Sequence, residues 1–252
     1  GYDPVALGYG DEVVVPRGYT ATPFVPWGTP ITGSYPAFRP AANTAAEQEQ
    51  QVGMHHDGMH FFPIDGSSTH GLLVLNHEYT DESYLQTGTG TTPPRSAWTA
   101  EMVGRSQAAH GVSVVEVRET THGEWELVRG GYNRRITANT KMHVSGPAAG
   151  HRLLRTKADP KGKTILGTMN NCSMGHTPWN TYVTCEENFN GYFAVSGSGF
   201  TAEASALISR YGVGGDRNNW GTHDSRFVVT PEDANEPNRF GWCVEIDPFD
   251  RD

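Results

Sequence analysis

Short apolar runs separated by glycine, proline and polar turns make up most of this chain. Residues 59–64 (MHFFPI) and 71–80 (GLLVLNHEYT) are two such runs, and the turn-rich segment DGSSTH lies between them. The β-branched run at 111–119 reaches a turn at His122 and Gly123 and returns through EWELV, which is the pattern of a β-hairpin. The pattern therefore predicts short strands joined by tight turns.

Further apolar runs have the same character. They are residues 163–168, 181–185, 191–195, 226–229 and 240–246. Residues 10–42 alternate apolar positions with proline and glycine, which predicts short extended pieces rather than long helices.

Three segments have the pattern of short helices. Thr44 followed by Glu47 forms a capping box, in which each side chain satisfies a backbone N–H at the helix start. Residues 99–110 and 201–211 each end before a glycine, which favours helix termination. Because strands and long helices do not alternate, the order predicts a mainly β fold, a sandwich or a propeller, rather than a doubly wound α/β fold.

Composition supports a loop-rich β fold and excludes several classes of partner. Of the 252 residues, 36% are hydrophobic, 30 are glycine and 16 are proline. The apolar runs are too short to cross a bilayer, so no membrane span is predicted. The formal net charge of −9 argues against nucleic acid or an anionic membrane surface as a partner, since both bind excess basic charge. An anionic small substrate would need local cations.

The cysteines cannot all pair within one chain, because there are three of them: Cys172, Cys185 and Cys243. At least one is therefore a thiol. Two arrangements stay open at this point: one disulfide with a buried free cysteine, or at least one thiol with a function.

Two acidic residues stand beside predicted strands. Glu78 follows the apolar run LLVL, and ligands converge where strand ends gather at one end of a β scaffold. Acids at strand ends are also often solvated or cap a turn. Glu245 lies between Val244 and Ile246 in a run suited to the interior, where a lone carboxylate would cost several kcal/mol. We therefore expect Glu245 to be paired, hydrogen-bonded or bound to a metal.

A pair of adjacent acids follows the strand TYVTC. Successive side chains of a strand point to opposite faces, so only one of Glu186 and Glu187 faces a shared site if the strand continues. Cys185 then shares a face with Glu187, and Thr184 with Glu186.

Cys172 lies close in sequence to these acids. A thiolate beside several carboxylates is a mixed soft and hard ligand set that suits iron, and the remaining carboxylates and carbonyls suit calcium. The set contains too much oxygen for a structural cysteine-type zinc site. His56 and His60 have the spacing of a helical zinc pair, but Gly58 between them makes a helix improbable.

Several longer motifs occur in a fixed order along the chain. They are VPRGYTATPFVPWGTPI, EQQVGMHHDGMHFFPID, NHEYTDE, AAHGVSVVEV, NNCSMGHTPWNTYVTCEEN and FGWCVEIDP. With these motifs the chain resembles the PhoX family of secreted alkaline phosphatases. The resemblance implies a six-bladed β-propeller that carries two ferric ions and three calcium ions. It also implies export in folded form by the twin-arginine route, to the periplasm or the extracellular space.

The resemblance implies roles for particular residues. The expected metal ligands are Glu78, Cys172, Glu186, Glu187 and Glu245. Cys172 is expected to bind iron, and Cys172, Glu78 and Glu245 to take part in catalysis. His176 and Thr177 are the expected substrate-binding residues. Asn180 stands where the family has glycine, and asparagine tolerates the left-handed backbone of such a turn.

The expected domain is one propeller, of which residues 1–252 form the N-terminal portion. Family members are longer, so we expect an incomplete ring, a complementary C-terminal segment as partner, and a monomer.

The expected activity is hydrolysis of phosphate monoesters by an oxo or hydroxo group held on metal. One alternative is a covalent nucleophile at Ser173 or Thr177, although neither has an evident base. The other is a truncated, non-catalytic secreted binding protein stabilised by calcium.

Overall fold

The computed structural model describes residues 2–251, which form a mainly β chain with short helices. This confirms the predicted mainly β class. The α-helices are α1 (Ala45–Gln48), α2 (Glu82–Leu85), α3 (Ala100–Ala109) and α4 (Ala202–Tyr211). The strands are β1 (His56–Pro63), β2 (His70–His77), β3 (Gly111–Glu119), β4 (Trp125–Leu127), β5 (Arg134–Ile136), β6 (Thr140–His143), β7 (Thr164–Gly167), β8 (Asn171–His176), β9 (Tyr182–Glu186), β10 (Ala194–Val195), β11 (Val228–Val229) and β12 (Cys243–Ile246). Short 3₁₀ segments cover Arg95–Ala97, Arg152–Leu154, Phe189–Tyr192, Trp220–Thr222, Ser225–Phe227 and Glu236–Arg239.

The largest sheet has the antiparallel order β1-β2-β3-β4, and β5 pairs with β3. Its central strand β3 is apolar on both faces. Val112 and Val114 pack in one apolar core, and Val115 and Val117 pack in another. This two-sided burial explains why the run shows continuous β-branched residues rather than alternation.

A three-stranded antiparallel sheet, in the order β12-β9-β8, packs against the largest one. Tyr182 joins the two sheets, since its single hydroxyl proton lies within hydrogen-bond reach of two acceptors, Gly58 O at 2.8 Å and Asn76 Oδ1 at 2.9 Å. Gly58 is required at this contact. A Cβ there would lie 2.6 Å from Met174 Cγ and 2.7 Å from Cys172 O, so a side chain would push β8 away from β1.

The remaining sheets are two-stranded, β6-β7 and the parallel pair β10-β11. An aromatic core lies beside them, and Trp220, Tyr192, Phe193 and Phe227 are fully buried in it. Within residues 2–251 no sheet closes on itself.

The predicted helix starts are confirmed. Thr44 and Glu47 form the capping box, and the hydroxyls of Thr99 and Thr201 accept the backbone N–H groups of the first turns of α3 and α4. Helix α4 ends at Gly212, whose left-handed φ of 61° costs glycine little.

Two predicted strands are only partly formed. Of residues 226–229, only Val228–Val229 forms a strand, and Ser225–Phe227 forms a 3₁₀ turn. Of residues 191–195, only Ala194–Val195 forms a strand, and Phe189–Tyr192 forms a 3₁₀ turn instead. The turn follows Asn188 at a φ of 45°, and it places Tyr192 in the aromatic core.

Among the described helices, none combines the length and the apolar character that a membrane crossing requires.

Candidate functional site

Three carboxylates from separate strands lie near one another at the ends of β1, β2 and β9. Glu78 follows β2, Asp57 belongs to β1, and Glu187 follows β9. Burial raises the pKa of Glu78, and the charges of Asp57 and Glu187, with a hydrogen bond to Asp57, raise it further. Like charges gathered in this way favour either a proton or a bound cation between them. We call Asp57, Glu78 and Glu187 the acidic cluster.

Bent backbone segments hold the acidic cluster in place. The N–H of Glu78 donates to His55 O at 3.0 Å, and that of Glu187 donates to Asn170 O at 2.9 Å. His55, Asn170 and Asn188 all have left-handed backbone, with φ values of 46°, 50° and 45°. Asparagine and histidine adopt this backbone conformation more readily than most residues, so the chain can bend at these three positions.

A depression of about 350 Å³ opens beside Glu78. Arg217 supplies positive charge there and lowers the pKa of Glu78 against the larger upward effects. Its guanidinium lies over the ring of Tyr192, 5.0 Å from the ring centroid, which fixes its direction. The lining residues are Glu78, Tyr79, Thr80, Glu82, Asn170, Asn188, Arg217 and Asn218. Arg217 is the cationic side chain in this lining, where it stands against the carboxylates of Glu78 and Glu82.

Glu82 forms the buried floor of the same depression. It accepts hydrogen bonds from Thr80 at 2.6 Å, Ser106 at 2.5 Å and Gln86 at 2.9 Å. Burial raises its pKa despite these donors. Sequence reasoning missed Glu82, Asp57 and Arg217. For the two acids the only signal was their position within the motifs NHEYTDE and MHHDGMH.

Cys172 lies on β8, beside Cys185 of β9. Asn171 pairs with Glu186 and Met174 pairs with Thr184, so the residues between them form a β-bulge. A bulge turns its side chains out of the regular alternation. The carbonyl of Cys172 accepts the amide of Asn76 at 2.7 Å, which connects β8 to the strand that leads into Glu78. Cys172 is a free, partly exposed thiol.

Glu186 behaves as the strand pattern predicts. Its side chain lies on the inner face with Thr184. It accepts hydrogen bonds from Thr168 Oγ1 at 2.7 Å and from the backbone N–H of Gly241 at 2.9 Å. Burial raises the pKa of Glu186 to about 7, which the hydrogen bonds only partly oppose. Glu187 lies beyond the end of β9 and is exposed, so it does not continue the alternation with Cys185.

The expectation that Glu245 lies in the interior is wrong, whereas the expectation that it is hydrogen-bonded is confirmed. Its side chain lies on the exposed face of the edge strand β12. It accepts hydrogen bonds from Trp179 Nε1 at 2.6 Å and Thr181 Oγ1 at 2.5 Å, which lower its pKa. It lines a second depression, of about 580 Å³, together with Glu186. Glu78 lines a different one.

His176 and Thr177 lie at the far end of β8 from Cys172. The ring of His176 stacks on His60 at 4.1 Å, and the hydroxyl of Thr177 lies 2.8 Å from that of Thr181. Asn180 has a φ of 72° in this turn, as predicted for a residue in place of glycine. The structure therefore brings the charges of Glu78 and Glu187 near each other. It places the thiol of Cys172 beside Cys185, and Glu245, His176 and Thr177 elsewhere.

Comparison with known proteins decides the family. The family model described as Alkaline phosphatase PhoX matches residues 1–252. The chain belongs to the alkaline phosphatase PhoX family. This confirms the resemblance that the motifs carry.

A solved PhoX structure has the same fold. It is Pseudomonas fluorescens PhoX in complex with vanadate, a transition state analogue, and it matches with 42% sequence identity and a TM-score of 0.89. The match covers 99% of this chain and 42% of that PhoX chain, so this chain spans about two fifths of the length of the solved structure. A comparison with curated proteins gives no match.

The donor chemistry at the acidic cluster fits the hard cations that the PhoX resemblance implies. Besides the three carboxylates, Asn170 lines the depression, and its buried Oδ1 has no hydrogen-bond partner in the described part of the chain. Calcium accepts carboxylate and amide oxygens together. No three His, Cys, Asp or Glu side chains within residues 2–251 already converge on one point, so amide and carbonyl oxygens would complete each ligand set.

Glu186 makes the stability of the metal-free protein depend on pH. The folded protein keeps its proton up to about pH 7, whereas an ordinary glutamate loses it near 4.5. Stability is therefore lost as the pH rises through this window, because ionisation of Glu186 opposes folding. Glu186→Gln should raise the free energy of unfolding by about 2 kcal/mol at pH 8.

The same substitution should change stability little at pH 4, where Glu186 is already neutral. Glutamine suits the site because its oxygen can accept from Gly241 while its amide donates to Thr168. Urea denaturation in the presence of a chelator at both pH values measures the difference. If Glu186→Gln changed the free energy of unfolding equally at pH 4 and pH 8, the raised pKa of Glu186 would be contradicted.

Proposed function

We propose that this protein hydrolyses phosphate monoesters at the depression between the acidic cluster and Arg217. The observation that carries the proposal is the match, over almost the whole chain, to a PhoX structure that binds vanadate as a transition state analogue. The local chemistry supports it, since the carboxylate of Glu78 interacts with those of Asp57 and Glu187 and with the guanidinium of Arg217.

The acidic cluster and Cys172 would hold the cations. The oxygens of Asp57, Glu78 and Glu187 suit calcium, and Cys172 suits iron. When bound, these ions would neutralise the phosphate dianion and activate water for attack. The proposed ions are those of the family, Fe³⁺ and Ca²⁺. The ligand roles of Glu186 and Glu245, and the substrate-binding roles of His176 and Thr177, stay predictions.

Arg217 would position the phosphate. Its backbone N–H donates to Gly191 O at 2.9 Å, and its guanidinium rests on the Tyr192 ring. The Tyr192 hydroxyl in turn accepts from Asn170 at 2.9 Å. These contacts fix the distance between the Arg217 guanidinium and the backbone bend at Asn170. They would therefore control how far the substrate phosphate lies from the acidic cluster.

The wider setting is also part of the proposal. The sheets would be blades of one six-bladed β-propeller domain, to which residues 1–252 contribute the N-terminal portion. The protein would act as a monomer in the periplasm or outside the cell, with a phosphate monoester as its small-molecule partner.

The experiment is a turnover assay with p-nitrophenyl phosphate on the purified protein. We expect release of p-nitrophenol when iron and calcium are both supplied, and loss of activity after chelation. Calcium binding without turnover would instead favour the alternative, a non-catalytic binding protein stabilised by calcium. Turnover that survives chelation and leaves a phosphorylated Ser173 would favour a covalent mechanism.

A further inference from the structure

Two cysteines face each other across the β9–β12 pair. Cys185 is the direct partner of Cys243 in the register of the two strands, and their Sγ atoms lie 3.7 Å apart as free thiols. Cys243 is exposed and Cys185 is partly exposed, so reagents in solvent reach them.

The backbone geometry at this pair suits a disulfide. One position along, Glu186 N donates to Trp242 O at 3.1 Å, so the pair at 185 and 243 is a non-hydrogen-bonded one. The Cα atoms of such pairs lie about 4.5 Å apart, and disulfides form at Cα separations of about 4.4 to 6.8 Å. The bond therefore needs rotation of two side chains and little backbone movement.

We propose that Cys185 and Cys243 form a disulfide by exchange with an external disulfide, and that Cys172 stays a thiol. The Cys243 thiolate attacks one sulfur of the donor, and one donor thiolate leaves. The Cys185 thiolate then attacks Cys243 Sγ, and the second donor thiolate leaves. The two protons lost by the protein go to the donor, which is reduced as the protein is oxidised.

The disulfide would fix the strand that carries Glu186 to the strand that carries Glu245. The two cysteines are 58 residues apart in sequence, so the link closes a long loop and restricts the unfolded chain. Cys172 is the competing partner, because its bulge on β8 lies beside Cys185. The strand register and the distance between the two sulfur atoms support this disulfide, and neither depends on the proposed function.

Peptide mapping identifies the link. The purified protein is equilibrated with oxidised glutathione, and a second sample with dithiothreitol; remaining thiols are alkylated and both samples are digested. Trypsin leaves Cys172 and Cys185 on one peptide, so chymotrypsin is added to cut after Trp179 or Tyr182. We expect a linked pair containing Cys185 and Cys243, with Cys172 alkylated. A Cys172–Cys185 link, or three alkylated cysteines, would overturn the proposal.

Thermal unfolding gives a second measurement. Oxidation should raise the unfolding midpoint by about 10 °C in the wild type and in Cys172→Ser. It should have no effect in Cys185→Ser or Cys243→Ser. The Cys172 variant is the matched control, since it removes a thiol from the same sheet. A shift that persists in Cys243→Ser, or that is absent from the wild type, would refute the pairing.

Discussion

Replacement of Cys172 by serine is expected to abolish phosphatase activity and iron binding together. Cys172 lies in the bulge of β8, and its carbonyl accepts from Asn76 of β2, the strand that leads into Glu78. Serine keeps the size of the side chain but replaces the proposed sulfur ligand by a hydroxyl that is rarely ionised near neutral pH. We expect kcat/KM for p-nitrophenyl phosphate to fall by about a thousandfold or more.

Cys243→Ser is the matched control for this substitution. It makes the same chemical change in the same sheet, but on β12 and outside the acidic cluster. Its iron content and kcat/KM should stay close to those of the wild type. Metal analysis and steady-state kinetics on the same samples make the comparison. An active, iron-loaded Cys172→Ser variant would remove Cys172 from the proposed centre.

Truncation of Trp220 to alanine should destabilise the protein by about 4 kcal/mol. Its side chain is 0% exposed and packs against the rings of Tyr192 and Phe227, with centroids 4.8 Å away in both cases. Its Nε1 donates to Ser106 Oγ at 2.9 Å, and Ser106 donates in turn to Glu82. The substitution therefore leaves a cavity and also loosens the floor of the candidate site.

Trp179 provides the control for size and residue type. It is 68% exposed, so Trp179→Ala should cost less than about 1 kcal/mol despite the loss of its hydrogen bond to Glu245. Chemical denaturation of the metal-free variants gives both values. Equal losses in the two variants would contradict the central place of Trp220 in the aromatic core.

Local signals in the sequence were sufficient for the helix starts and most strands. The capping box at Thr44 and Glu47, and the glycine that ends α4, each act within one turn of chain and depend on nothing distant. The strand predicted for residues 191–195 is mostly wrong, because burial of Tyr192 in the aromatic core outweighs the strand preference of this run.

Glu245 shows a limit of predicting burial from the alternation of apolar and polar residues along a strand. Period two separates the faces of a strand, but it does not say which face is covered. Strand β12 is at the edge of its sheet, and there the face of Glu245 meets solvent. Glu186, on the central strand of the same sheet, is the acid that is buried enough to have a strongly raised pKa.

The sequence did not predict which residues, distant along the chain, lie near one another in the candidate site. Asp57 and Glu187 come near enough to Glu78 to raise its pKa, and bends with left-handed backbone at His55, Asn170 and Asn188 lie next to these strand ends. An asparagine or histidine in a turn gives no advance sign of this proximity. Arg217 lies in the loop GGDRNN. A functional arginine and an ordinary solvated arginine look the same in such a loop, so the sequence does not distinguish them.

The central claim is that the acidic cluster and Cys172 hold the metal ions on which phosphate hydrolysis depends. The most direct measurement is anomalous diffraction, at the iron edge, from crystals of the protein loaded with iron and calcium. The account predicts an iron peak at bonding distance from Cys172 Sγ and beside the carboxylates of Glu78 and Glu187. An iron peak elsewhere in loaded, active protein, with no anomalous density at Cys172, would contradict it.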